Sequence, residues 1–225
     1  MDNLIKIFGN LTDFYGNAIS NGDVSIKDSL FNDVYNTKTD EYGNYSLIVE
    51  KGMYMAIFAV KDYGVNALEY WGWNLPAFKD TEINMRIDGL EVYAINAFML
   101  QRSRPYTSMM IYFRPMSLKR ALINREKLND STNGTIDISP DLKEDDIEVK
   151  INEQLVNILE INRIIEKTGD SHSMNGYIVQ VSIPDKEIKQ EYTKIHITLR
   201  DSETCEKGEG SFFWQRSKSF DSICE

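Results

Sequence analysis

The chain has 225 residues and a formal net charge of −10, from 35 Asp and Glu against 25 Lys and Arg. So acidic a surface repels phosphate backbones and anionic lipid, which argues against nucleic acid and membrane as partners, and no run of about 20 apolar residues could span a bilayer. Hydrophobic residues reach 42%, enough for a core without disulfide staples, and the length suits one large domain or two of about 100 residues.

Strand and turn signals fill the first hundred residues. Leu4 to Leu11 reads as an opening strand and Asp13-Phe14-Tyr15-Gly16-Asn17 as a turn. Asp23 to Lys27 alternates polar and apolar residues, as a half-buried strand does. Asp40-Glu41-Tyr42-Gly43 reads as a tight turn in which Gly43 supplies positive φ. Tyr45 to Val49 and Tyr54 to Val60 read as a hairpin joined across Glu50-Lys51-Gly52. After an aromatic insertion, Thr81 to Ile87 and Val92 to Leu100 read as two further strands. About seven short strands in this span imply a β-sandwich.

The turn chemistry has a recognisable order. Gly9, Leu11 and Asp13 stand at alternate positions, followed by the turn glycine Gly16, by Ala18-Ile19, and later by Thr39, Asp40, Gly43 and Tyr45. This pattern resembles the carboxypeptidase regulatory-like domain, a transthyretin-like (prealbumin-like) sandwich, over residues 5–100. The resemblance implies a scaffold with no chemistry of its own. It departs from the pattern at two places: Ala18 replaces a proline, and Asn21-Gly22 replaces a Gly-Ala pair. Related surface-adhesin sandwiches crosslink a first-strand lysine to a last-strand asparagine. Lys6 and Asn96 hold comparable positions, with Glu50 or Glu69 as the acid, but Lys6 reads as an outward strand residue.

Arg102-Ser103-Arg104-Pro105 marks the expected boundary between a first unit, 1–101, and a second, 102–216, with a polar tail at 217–225. Ser108 to Phe113 reads as a strand stopped by Pro115, and Ser117 to Leu128 as a short helix whose Leu118, Ala121, Leu122 and Arg125 share a face. Asn129 to Asp141 reads as a loop. Strand signals return at Ile147 to Ile151, Ile158 to Ile165, Tyr177 to Ile183, Lys194 to Leu199 and Gly210 to Trp214, with connections at Asn152-Glu153 and Asp201 to Cys205. The fold class expected is all-β: two β-sandwiches, the first transthyretin/prealbumin-like and the second immunoglobulin-like. No internal repeat is evident.

Catalytic signatures are missing from the sequence. The two histidines fall in a turn (His172) and on the polar side of a strand (His196), and neither has a carboxylate at metal-ligand spacing. There is no nucleophile elbow, phosphate-binding loop or dinucleotide fingerprint. The acids Glu144, Asp145, Asp146 and Glu148 read as a solvated stretch. The expectation is a non-enzymatic protein without metal or cofactor. Cys205 and Cys224 fit a free pair better than a disulfide. No basic region followed by an apolar stretch opens the chain, so it reads as cytoplasmic as the sequence stands, or else as an exported chain whose signal has been removed.

One segment stands out, Glu69 to Phe78, which concentrates two of the three tryptophans. Its residues Glu69, Tyr70, Trp71, Trp73, Asn74 and Phe78 are the candidate binding set. Such rings anchor protein partners or identical chains, and alternatively stack on a glycan with Glu69 or Asn74 bonding hydroxyls. They also suit plain packing between the two units.

Overall fold

The computed structural model describes residues 3–99, 108–124, 134–135, 138–167, 172–183 and 191–215. The expected boundary at Arg102–Pro105, the 217–225 tail and Cys224 lie outside them.

The chain is all-β, a pair of sandwiches that share one sheet. In chain order the strands of the first half are β1 (Leu4–Thr12), β2 (Asp23–Lys27), β3 (Asp33–Lys38), β4 (Asn44–Glu50), β5 (Gly52–Val60), β6 (Tyr70–Ala77), β7 (Thr81–Glu82), β8 (Met85–Arg86) and β9 (Leu90–Met99). Then come β10 (Ser108–Ser117), a short helix α1 (Leu118–Ile123), β11 (Gly134–Thr135), β12 (Ile147–Ile151), β13 (Gln154–Leu155), β14 (Ile158–Lys167), β15 (His172–Ser182), β16 (Tyr192–Arg200) and β17 (Lys207–Gln215).

Eight strands form one sheet in the order β13-β12-β16-β17-β6-β5-β2-β3. The last strand of the chain therefore pairs with β6 of the first half, in parallel, through Gly210–Trp71, Ser211–Gly72 and Phe212–Trp73. A small sheet of β4, β1, β7 and β8 covers the early strands on one face. A second sheet, running β14-β15-β10-β9 with β11 also on β15, covers the late strands on the opposite face. Two cores result. Ile7, Leu11, Val24, Ile26, Leu47, Val49, Ile57 and Tyr70 belong to the first. Ile111, Phe113, Val149, Val179, Ile195, Ile197 and Leu199 belong to the second, together with Leu90, Val92, Ile95 and Ala97 of β9. Strand alternation lets β17 serve both: Phe213 packs into the first core and Trp214 into the second.

The resemblance motif has physical reasons here. Gly9 passes so close to the β7–β8 segment that a Cβ would meet Ile83 O at 2.1 Å, and Leu11 is fully buried. Asp13 staples its turn by accepting from the N–H groups of Tyr15 and Asn17 at 2.8 and 2.9 Å.

Several elements differ from expectation. Tyr70–Ala77 is an inner strand of the large sheet, where an insertion was expected. Its Asn74 takes φ 58° and switches which side chains face the core, so Tyr70 before it and Leu75 and Ala77 after it all pack inward. β4 and β5 do not pair as a hairpin. They lie in different sheets, and Glu50-Lys51-Gly52 carries the chain across the sandwich. Thr81–Ile87 is two short pieces parallel to β1. Pro115 does not stop β10: pairing with β15 ends at Phe113, so the proline sits where a missing donor is tolerated. His172 opens β15 and does not lie in a turn. Lys6 and Asn96 are both exposed and belong to separate sheets, so no crosslink joins them.

Close packing of β17 on β9 depends on Gly208, where a Cβ would meet Leu90 O at 2.3 Å. Gly208→Ala is expected to destabilise the fold by roughly 1–3 kcal/mol through backbone displacement. Urea unfolding checks this, with an unchanged midpoint as the contrary result.

Candidate functional site

The candidate set divides between the two faces of β6. Tyr70 is buried in the first core and its OH donates to Ser211 Oγ at 3.0 Å. Asn74 donates to Phe213 O at 2.6 Å and ties β6 to β17. Phe78 is exposed beyond the strand, with its ring 5.9 Å from that of Tyr192. Only Glu69, Trp71 and Trp73 converge. Trp71 and Trp73 stack 4.8 Å apart, and Trp71 donates through Nε1 to Glu69 Oε2 at 3.1 Å and Glu91 Oε1 at 3.0 Å.

Other strands complete the cluster. Phe58 on β5 stacks on Trp71 at 5.1 Å, and Tyr93 on β9 meets both indoles edge-on at 5.5 and 5.2 Å. Phe31, in the β2–β3 loop, lies near-parallel to Trp71 and Trp73 at 5.6 and 6.2 Å. The Lys27 ammonium sits over the rings of Phe31 and Phe58 at 4.9 and 4.7 Å and pairs with Asp33 at 2.9 Å. Cation–π attraction and stacking thus hold the rings together. Trp71 keeps only 4% of its surface exposed, so it presents no open ring face. Phe31, Phe58, Tyr93, Glu91 and Lys27 were not found from sequence, because each comes from a different strand or loop than the tryptophans.

Phe31 is held against its backbone preference. Three turns share one construction, an Asp whose carboxylate accepts from N–H groups two and four residues on, closed by an Asn: Asp13–Asn17, Asp28–Asn32 and Asp40–Asn44. The residue before the Asn has positive φ in each, 87° at Gly16, 69° at Phe31 and 79° at Gly43. Where two turns use glycine, the third carries a bulky ring at a cost of about 1–2 kcal/mol. Stacking and the Lys27 contact offset it. Phe31→Gly is expected to change stability by less than about 1 kcal/mol, since strain relief offsets lost stacking. It should also make the indole fluorescence more quenchable by iodide. Unaltered quenching would mean that Phe31 does not cover the pair.

The two carboxylates at Trp71 differ in environment. Glu91 is 1% exposed. Burial, reinforced by the nearby Glu69 charge, pushes its pKa from 4.5 up to about 8. Burial also raises Glu69, partly offset by Trp71 and Lys27. Glu91 Oε2 and Trp73 Nε1 are buried without a hydrogen-bond partner. A group that binds its proton more tightly when folded stabilises the fold at low pH and loses that advantage as pH rises toward the folded value. Between about pH 4.5 and 8 this one group should erode stability by up to about 1.4 kcal/mol per pH unit. The difference in urea-unfolding free energy between wild type and Glu91→Gln, measured at several pH values, should carry that slope. A flat difference would place a charged Glu91 in the fold.

The opposite face of the shared sheet holds a polar cleft of about 430 Å³ beside β1 and β8, reached by Asn10, Asn84, Arg86, Lys150, Lys194 and Glu153. At its floor His196 Nδ1 lies 2.9 Å from Ser211 Oγ, and His196 Nε2 lies 3.5 Å from Glu209. Ser, His and Glu in contact suggest a nucleophile and its base. However, Ser211 has no exposed surface, so no acyl group can reach it, and the trio is a structural network. Burial pushes Glu209 up, but His196 and Arg86 outweigh it and hold the carboxyl below its ordinary range. Among the described residues no group of three or more His, Cys, Asp or Glu side chains is placed to hold a metal ion. None of the described helices is long and apolar enough to cross a membrane. Cys205 is exposed and free.

No protein-family model matches the chain, and no curated protein matches it either. Among solved structures it is similar to a DUF3823 family protein from Bacteroides ovatus, with a TM-score of 0.31 and 8% identity over 93% of this chain and 98% of that one. It is also similar to BcpA, the major pilin subunit of Bacillus cereus (0.30, 11%, over 93% and 69%), and to bovine butyrophilin (0.31, 8%, over 95% and 99%). Similarities of this size carry no argument about what the chain does.

Proposed function

We propose that this protein is a non-enzymatic interaction module that accepts an added strand along the free edge of β14. The observation that carries the reading is the edge itself. β14 has ten residues, contains no proline or glycine, and pairs only with β15. Among the described residues nothing pairs with its outer side, and Leu159 and Ile165 are 54% and 69% exposed. Unpaired N–H and C=O groups in a row are a template for another strand. The edges of the large sheet are better defended. β13 has only two residues, and β3 is flanked by the Lys38–Asp23 and Lys27–Asp33 ion pairs.

Hydrogen–deuterium exchange of β14 tests the reading, over a dilution series of the chain and with a panel of ten-residue strand peptides. Slowed exchange of alternate β14 amides on association is expected, abolished by Leu159→Lys with Ile165→Lys. Protection confined to other strands would overturn it.

A second reading treats the aromatic cluster as a glycan platform, with Glu69, Trp71 and Trp73 at its centre. It is favoured by the partnerless Trp73 Nε1 and Glu91 Oε2, which could bond sugar hydroxyls once Phe31 moves aside. Protection of tryptophan from iodide by a polysaccharide would support this reading, and its absence in Phe31→Gly would remove it.

A further inference from the structure

We infer that the strand added to β14 is β14 of a second copy of this chain, antiparallel and centred on Asn162; this rests on the strand-addition reading above. Facing residues in an antiparallel pair lie on the same face of the sheet. A two-fold axis between identical antiparallel strands must therefore pass through a residue that faces itself. That restricts the register to a few choices, and the side chains separate them.

Centring on Glu160 or Arg163 sets like charges face to face. With Ile161 at the centre the exposed Leu159 faces Arg163, and with Ile164 there the exposed Ile165 does, so neither register gives both exposed apolar residues an apolar partner. Centring on Asn162 instead sets Leu159, the bulged residue between Ile158 and Glu160, against Ile165 of the other copy at both ends. The two most exposed apolar residues of the strand are covered together, and the facing Asn162 amides can bond each other. Ile161 then faces Arg163, whose aliphatic stem can lie along it, and Glu160 faces Ile164.

Charge supports a self-contact at this place. The chain carries −10 overall, yet β14 is neutral, with Glu160 and Glu166 balanced by Arg163 and Lys167. Glu166 is engaged by Arg114 at 2.7 Å and by the Tyr112 hydroxyl, and Arg163 lies 3.5 Å from Asp141. Two of the four charges are thus engaged within the chain, the strand presents no net charge to the approaching copy, and the β9–β10–β15–β14 sheet becomes continuous through both copies.

The test uses the full chain with Cys205→Ser and Cys224→Ser, carrying Ile161→Cys, Asn162→Cys, Arg163→Cys or Ile164→Cys singly, under mild oxidation and alongside sedimentation velocity. A dimer is expected whose Asn162→Cys form crosslinks at least about tenfold faster than the other three, because only a self-facing pair brings its Cβ atoms within bridging range. Ile165→Lys, at an exposed position, should return the chain to monomer. A chain that stays monomeric at every concentration, or that crosslinks fastest at another position, overturns the inference. If strand peptides still protect β14 in the monomeric chain, self-pairing fails while strand addition stands. If they do not, both fail.

Discussion

The parallel pairing of β6 with β17 is the constraint on which the rest of the molecule depends. It comprises three residue pairs, but side chains from both halves reinforce it. Tyr70 reaches Ser211, Asn74 reaches the carbonyl of Phe213, and Glu209 accepts from the N–H of Arg86 at 2.9 Å and pairs with its guanidinium. Because the two covering sheets lie on opposite faces of the shared one, each leaves part of that sheet uncovered. The aromatic cluster fills one of these ledges and the polar cleft occupies the other. Both candidate sites are thus consequences of the offset between the sandwiches.

Buried carboxylates gather along this junction, and their partners decide what each one does. Glu209 is held charged by a guanidinium and an imidazole. Asp201 is likewise held below its ordinary range: burial opposes it, but backbone and Thr204 hydrogen bonds and Arg120 prevail. Glu206 accepts from Ser117 and the backbone N–H of Lys119. All three have the charged or hydrogen-bonding partners that a buried carboxyl needs. Glu91 is served less well: the Trp71 indole N–H and the Glu69 backbone favour its charged form, but one of its oxygens is buried without a partner and burial outweighs both. Neutral Glu91 is the way the fold accommodates it. The Glu209–Arg86 ion pair and the proton-dependent Glu91 contact therefore lie on opposite faces of the shared sheet.

Sequence revealed most of this architecture wherever one strand obeyed a local pattern. Asn44–Glu50 alternates strictly between core and solvent, and Ile195, Ile197 and Leu199 point inward while His196 points away, as their spacing implies. β6 escaped because Gly72, Asn74 and Pro76 break the run with turn residues, whereas its strand character comes from neighbours far along the chain. β3 escaped because an edge strand buries too little to leave a pattern. The Asp-to-Asn turn repeats three times, yet the third copy is hidden by Phe31 in the place of glycine. That residue, with Phe58, Tyr93 and Glu91, joins the tryptophans only through long-range packing. The exposure of an edge strand, likewise, is a property of the sheet order and not of the ten residues in it.

Thermal unfolding by calorimetry tests most directly whether the shared sheet makes the two sandwiches one unit. If β17 must be present for the first sandwich to keep its inner strand β6 covered, both halves melt in a single transition whose calorimetric and van't Hoff enthalpies agree. Two separable transitions, each matching one half of the chain, would contradict that account and reduce the β6–β17 ladder to a contact between independent domains.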